Sequence, residues 1–274
     1  MKYQIDHDLH CHSHLSLCSS DPDMNPRTIL EHAKKEGYVM QAITDHYWDE
    51  ALPGANGWYG IQDTAHIRED LPFPTDTGDV KFLFGVETEL RYDGTVGVSR
   101  EKLDDYGFIV IPPNHLHIRD MTNPGMEHTA ENLADCFTKR LEMLTKMELP
   151  WHKIGIAHLN FIYDGDASRH ALDLMDRDRM MEIFKDFAKK GVGIELNSGC
   201  FEEDPAGWEN VADSHLRLFA MARDAGCKFY CGSDCHKYHL LIDPAHSLET
   251  VLRPVIDRLE LTEADKFPLD GMLK

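Results

Sequence analysis

The chain reads as an α/β protein, a distorted (β/α)7 barrel of the TIM type. Three observations predict this. Short apolar runs and amphipathic stretches alternate about seven times along 274 residues with no linker-like break, the pattern of a parallel sheet with helices outside. Six of the seven apolar runs end in residues that can hold a metal ion. A doubly wound open sheet gathers its ligands at one switch point, whereas a closed barrel brings all its C-terminal strand ends around one centre. Residues 1–274 are expected to form one domain, with no internal repeat and no low-complexity tract.

Taken in order, residues 3–9 predict the first strand, which runs into Asp8-Leu9-His10-Cys11-His12. His10 and His12 share one side by the period-2 rule, and Cys11 takes the other. A Ser/Asp-rich loop spans 12–23. Asn25-Pro26 starts a helix over 26–36, with Asn as N-cap and Pro at the first helical position. That helix buries Ile29, Leu30 and Ala33, and Gly37 ends it. Residues 38–44 predict the second strand, followed at once by Asp45-His46. Residues 47–79 form a connection rich in Pro, Gly, Asp and aromatics, whose length suggests a functional loop with a short helix near 66–70. Residues 80–86 predict the third strand, ending at Glu87, with 90–92 extending as a hairpin.

Residues 106–111 predict the fourth strand, closed by Pro112-Pro113 and then Asn114-His115. The long helix over 127–148 carries Leu133, Phe137, Leu141 and Leu144 on one stripe. Strand 153–157 ends at His158. A helix over 176–190 turns Met180, Ile183, Phe184 and Phe187 inward. Strand 192–196 ends at Asn197-Ser198-Gly199. A helix over 212–225 is capped by Gly226. Strand 228–231 ends at Asp234 and His236, and the last helix spans 247–259.

The bulk numbers narrow the function. Hydrophobic residues make up 42%, enough for an ordinary core, and no run approaches the ~18 apolar residues of a membrane span. The N-terminus has no apolar signal region, so a cytoplasmic protein is expected. Net charge is −20, from 48 acids against 28 bases. An acidic surface repels long nucleic acid and anionic membranes. It still admits a small anionic substrate, because bound divalent cations reverse the local sign. The seven cysteines form no Cys-x-x-Cys pair, which fits a reducing compartment. Cys11, Cys231 and Cys235 read as small buried hydrophobes.

His10, His12, His46, Glu87, His115, His158, Asp234 and His236 are the expected metal ligands. His, Asp and Glu suit zinc, manganese and iron(II). Eight groups exceed the four to six that one ion takes, so two to three divalent ions are implied. Glu87 is the expected bridging carboxylate, preferred over Glu89 of the same parity. His115 is preferred over His117 because it comes first after its strand. His7, His14, His32, His66, His128, His152, His170, His215 and His246 read as surface or helix residues. Asp8 either orients a ligand histidine or closes the first strand by ordinary hydrogen bonds.

The strings Asp8-Leu9-His10-Cys11-His12-Ser13, Ile43-Thr44-Asp45-His46, Gly85-Val86-Glu87 and Gly232-Ser233-Asp234-Cys235-His236 resemble the PHP (polymerase and histidinol phosphatase) family. The motifs run in the family's order over nearly the whole chain. The resemblance implies a distorted (β/α)7 barrel with a trinuclear metal centre. By motif, one ion would take His10, His12, Glu87 and Asp234. A second would take Glu87, His115 and His158. The third would take His46 and His236 with a residue from the loop after His12. Family members with three metals often place a histidine eight residues after the first motif histidine, and this chain has Cys18 there. A thiolate can ligate zinc. The alternatives are a weak third site, or a ligand from His14 or Asp21.

The expected activity is hydrolysis of a small phosphomonoester, with histidinol phosphate the leading substrate, by a metal-bridging hydroxide attacking phosphorus in line. Glu87, Asp234 and His236 are the expected catalytic residues. Asn160 and Asn197 at strand ends, with Arg91 and Arg119, are the expected substrate contacts. Arg169, Lys237 and His239 are further cations without a motif. Three other readings are a small-nucleotide phosphodiesterase, a C–N hydrolase and a non-catalytic metal-binding module. The second of these lacks a lysine at a strand end, because Lys81 and Lys228 both open their strands. Loss of Glu87 or Asp234 would have favoured the third. Metal identity, the alcohol half of the substrate and the oligomeric state are not encoded legibly.

Overall fold

Buried parallel strands read as near-continuous apolar runs because helices cover one face and the barrel interior fills the other. The computed structural model describes residues 1–160, 165–202 and 213–272. Strand β1 (His7–Asp8) pairs in parallel with β2 (Met40–Ile43). The chain runs on through Thr44-Asp45 into β3 (His46–Tyr47). The third apolar run is interrupted at Gly85, giving β4 (Lys81–Phe84) and β5 (Val86–Thr88) where the sequence predicts one strand. β4 pairs with β2, and β5 pairs with β3. From β5 the ladder continues through β6 (Ile109–Ile111), β7 (Ile154–Ile156), β8 (Gly193–Asn197) and β9 (Lys228–Gly232), all parallel.

Counting β2 with β3 and β4 with β5 leaves seven strand positions, as the alternation predicts. The ring returns on itself. Leu9 N–H donates to the Cys231 carbonyl at 3.0 Å, and His12 N–H to the Cys235 carbonyl at 3.0 Å. Cys11 and Cys235 form a parallel bridge between them. The fold is a distorted (β/α)7 barrel.

Alternation along the strands sorts the side chains. Ile109, Ile111, Ile154, Ile156, Ile194, Leu196, Phe229 and Cys231 belong to the outer layer, which the helices cover. Leu9, Met40, Ala42, Leu83, Phe108, Val110, Ala157 and Tyr230 fill the interior, with Phe267 and Met272 from the C-terminal segment. Gly155 makes room for the Tyr230 ring: a Cβ there would lie 2.4 Å from the Tyr230 hydroxyl.

The helices follow their local signals. Asn25 caps α1 (Pro26–Glu36) by accepting from the backbone N–H of Arg27 and Thr28, Pro26 occupies the first turn, and Gly37 at φ 73° ends it. A four-residue α2 (Arg119–Thr122) precedes α3 (Ala130–Thr145). α4 (Gly165–Leu174) packs on α3 and has no counterpart among the expected elements, because its opening reads as a turn. α5 (Arg177–Lys190) starts on Asp176 and ends at Gly191. The remaining helices are α6 (Ser198–Glu202), α7 (Asp213–Asp224), α8 (Tyr238–Leu241) and α9 (Leu248–Arg258). The 47–79 connection carries two 3-10 turns, at Tyr59–Ile61 and His66–Arg68.

Among the described residues no helix is long and apolar enough to cross a membrane. All seven cysteines are free, with Cys11 and Cys231 buried and Cys235 partly so. One expectation for a single histidine fails. His32 is buried but is a residue of helix α1, whereas His7 is buried in β1, and its Nε2 accepts from the Cys231 backbone N–H at 3.0 Å, tying the first strand to the last.

Candidate metal centre

The strand ends bring all eight expected ligands together around Glu87 and Asp234. Glu87 Oε2 lies 3.1 Å from His46 Nδ1, 3.3 Å from His12 Nε2 and 3.5 Å from His10 Nε2. Its Oε1 lies 3.8 Å from His115 Nε2 and 4.0 Å from His158 Nε2, and is buried without a hydrogen-bond partner. Asp234 Oδ1 is 3.1 Å from His12 Nε2 and 3.4 Å from His10 Nε2, and its Oδ2 is 3.1 Å from His158 Nε2. The eighth, His236, stacks on His12 at 4.0 Å between centroids. Three donor groups converge closely enough for an ion: His10–His12–Asp234, His10–Glu87–His158 and His12–His46–His236.

Four of the rings are fixed by what their far nitrogens touch. His10 Nδ1 donates to Glu195 Oε1 at 2.6 Å. His12 Nδ1 donates to Ser16 Oγ at 2.8 Å, and that hydroxyl donates to Asp45 at 2.7 Å. His115 Nδ1 donates to Glu89 Oε2 at 3.1 Å, and Glu89 is clamped by the buried Arg140 at 2.7 Å. His158 Nδ1 donates to Asn114 Oδ1 at 3.2 Å. Such partners set the tautomer and turn the Nε2 lone pair inward. The Nε2 atoms of His10 and His12 then face each other at 3.1 Å. Two lone pairs at that distance need a proton or a cation between them.

The electrostatics agree. Burial opposes charge on Glu87, yet His46 and His10 hold its carboxyl well below the usual range. Asp234 is likewise held down against burial, chiefly by His10 and His12. Against burial, Asp234 and Glu87 raise His12 to about 9. Burial and the charge of His12 push His236 down to about 4. An orphaned carboxylate oxygen, facing lone pairs and a surplus of nitrogen and oxygen donors fit divalent metal ions.

Backbone strain gathers at the same place. His158 and Asp234 adopt left-handed φ values of 54° and 53°, a conformation that costs non-glycine residues about 1–3 kcal/mol. Glu195 Oε2 accepts from the His158 N–H at 3.1 Å and helps hold that turn. Gly232 leaves room for Glu195, since a Cβ there would sit 2.2 Å from Glu195 Oε1.

The centre opens into a cleft of about 400 Å³ lined by Cys18, His46, Asn56, Trp58, Glu87, His115, His117, Ile118, His158, Asp234 and His236. Cys18 is exposed at its edge and lies outside the three donor groups. Partial desolvation and the charges of Glu87 and Asp234 push its thiol up to about 12. The His12–His46–His236 group closes with His12 where the resemblance supplies a loop residue.

The expected substrate contacts fare less well. Asn197 is spent internally: its Nδ2 donates to Glu195 Oε2 at 3.2 Å and Asp234 Oδ2 at 3.3 Å, and its Oδ1 accepts from Cys200 N–H. Asn160 is fully buried, has no partner for either amide atom among the described residues, and is not among the described lining residues of the cleft. Arg91 pairs with Asp93 at 2.9 Å and stacks on Tyr92, away from the lining. Arg119 is exposed on the first turn of α2, and Lys237 and His239 are exposed beyond β9. The Arg169 and His215 side chains lie outside the described residues. Asp8 follows the simpler of its two readings, accepting from the backbone N–H of His10 and Ser233 at 3.1 and 3.0 Å.

Sequence reasoning missed Glu195, Glu89, Asn114 and the Ser16–Asp45 pair. The signal was present for Glu195: a charged residue within Gly193-Ile194-Glu195-Leu196-Asn197, a strand buried on both faces, must find a partner.

Residues 8–199 match the PHP domain. The chain belongs to the PHP family. With this donor set it is a metal-dependent phosphoesterase, a hydrolytic enzyme. No curated protein sequence matches it. Its fold is similar to that of histidinol phosphate phosphatase from Lactococcus lactis subsp. lactis Il1403, solved with zinc, L-histidinol and phosphate. That likeness has a TM-score of 0.58 at 17% identity, covering 96% of this chain and 99% of the other. A candidate histidinol phosphatase from Listeria monocytogenes gives a TM-score of 0.55 at 14% identity, covering 88% and 98%. Identities this low establish the shared barrel, and PHP membership rests on the domain match.

Proposed function

We propose that this PHP protein hydrolyses a small phosphomonoester, in the manner of a histidinol phosphatase, using two to three zinc, manganese or iron ions. Residues 1–274 would act as one domain, in the cytoplasm. The observation that carries the reading is the buried, unpartnered Glu87 Oε1, surrounded by more inward-facing donors than one ion can use.

His10, His12, His46, Glu87, His115, His158, Asp234 and His236 would hold the ions. When bound, the ions supply positive charge that neutralises the phosphoryl oxygens and lowers the pKa of water. The chain's own contribution is preorganisation. Glu195, Ser16, Glu89 and Asn114 fix the tautomers of four imidazoles. Glu87 and Asp234 stay ionised at the centre. His236 is the donor open to solvent, its side chain 26% exposed, and its Nδ1 donates to the Asp234 carbonyl at 2.7 Å. That bond leaves the Nε2 lone pair as the one His236 would offer an ion at the cleft. No Lys or Arg is among the described lining residues, so the phosphate charge falls to the metals.

The test is a substrate panel on metal-loaded protein: histidinol phosphate, simple phosphomonoesters and a phosphodiester, with Glu87→Ala and Asp234→Ala alongside. Monoester turnover lost in both variants together with bound metal is the expected result. Turnover of the diester alone, or full metal content with retained activity in either variant, would overturn the reading.

A further inference from the structure

The cleft has two unlike walls. One is the donor cluster. The other is built by the 47–79 connection and the segment before α2, and its lining residues are Asn56, Trp58, His117 and Ile118, with no carboxylate, lysine or arginine among them. Trp58 and Ile118 both pack on a small separate core of Trp48, Tyr59 and Met121. Trp58 is only half-buried there. Its ring stands 4.9 Å from His46 at 65°, and 4.9 Å from Tyr59 at 90°.

The backbone beneath this shelf is pinned. Asn56 Oδ1 accepts from the N–H of Trp58 at 3.1 Å and of Tyr59 at 2.9 Å, and Gln62 Nε2 donates to the Trp58 carbonyl at 3.3 Å. Asn56 Nδ2 reaches Asp120 at 3.4 Å and ties the loop to α2. A rigid, half-exposed indole beside one metal-ligand imidazole is a preformed stacking surface. The donor cluster would take the phosphoryl group, and the shelf is the neighbouring surface left for the rest of the ester.

We infer that Trp58 determines specificity, and that the substrate's alcohol half presents a flat aromatic ring that stacks on its indole. The inference rests on the phosphomonoesterase reading for its chemistry, but the shelf can be probed without turnover. The probes are benzyl phosphonate and ethyl phosphonate, which are not hydrolysed, bound to the metal-loaded protein in a calorimeter. Benzyl and ethyl phosphate, whose leaving alcohols are of similar acidity, are compared by kcat/KM.

An apolar pocket that accepts a larger group typically discriminates by ~10–200-fold, so wild type should favour each benzyl compound by at least about tenfold. Trp58→Ala should bring both ratios to within about threefold, and Trp58→Phe should restore most of the preference by keeping a ring. Equal binding of the two phosphonates by wild type, or an unchanged ratio in Trp58→Ala, overturns the inference. A benzyl preference in binding without turnover of either phosphate would overturn the phosphomonoesterase reading and leave the shelf standing.

Discussion

Replacing Glu195 by Gln tests how the site is held. The side chains are isosteric, so the barrel should close as before. Glu195 now accepts on both sides: from His10 Nδ1 at 2.6 Å through Oε1, and from the His158 N–H and Asn197 Nδ2 through Oε2. Gln offers one oxygen. A charge-assisted hydrogen bond contributes about 1.5–3 kcal/mol against about 0.5–1.5 for a neutral one, and an unmatched buried donor costs a further 1–3 or so. The total is roughly 2–4 kcal/mol, divided between stability and metal binding. At about 1.4 kcal/mol per tenfold, the metal share should weaken affinity about 10–100-fold, the range typical of losing a partner behind a ligand histidine. Competition against a chelator measures the affinity, and thermal unfolding of the metal-free protein measures the remainder. Affinity within about threefold of wild type, with a lowered metal-free melting temperature, would show that Glu195 supports only the fold.

Three further outcomes follow from the same geometry. Cys18→Ala should keep the full metal stoichiometry, since Cys18 is in none of the three donor groups; elemental analysis showing one equivalent lost would restore Cys18 as a ligand. Gly155→Ala should lower stability by about 1–3 kcal/mol, read by denaturant unfolding, because its Cβ would meet the Tyr230 hydroxyl at 2.4 Å. In metal-free protein, His12 is raised to about 9, so its contribution is present below its ordinary value near 6.5 and is lost as pH climbs through 9. His236 is lowered to about 4, so its contribution is present above about 6.5 and is lost as pH falls toward 4. Stability of the chelated protein should therefore peak near neutrality. A steady rise from pH 6.5 to 9 in urea titrations would contradict this.

Local chemistry made much of the molecule legible. Asn25, Pro26 and Gly37 bound α1 because capping acts over three or four residues. The pair His10/His12 was readable because the two-residue period of an extended chain puts both on one side, whereas Asp234/His236 lies past the end of β9 with Asp234 at φ 53°, so its period-2 spacing in the sequence found the right residues through a turn rather than a strand. The apolar runs located every strand position, although they did not show the break at Gly85, which depends on two neighbouring strands. What stayed hidden depends on distant sequence. Glu195 acquires its role from His10, 185 residues away, and Asn197 loses its apparent availability to Asp234. Arg91 is a local exception, since its partners Tyr92 and Asp93 are the next two residues, brought onto it by a turn.

The seam between β1 and β9 has a consequence for how the protein is made. His10 and His12 leave the ribosome more than two hundred residues before Asp234 and His236. Leu9 and His12 can find the Cys231 and Cys235 carbonyls only when the last strand has been synthesised and docked. Until then two of the three donor groups lack a member. Tight metal uptake thus waits for the last strand, and its free energy adds to the step that seals the ring. A ribosome-stalled chain ending before residue 234 should hold metal only weakly, so metal retention would report that the last strand has arrived.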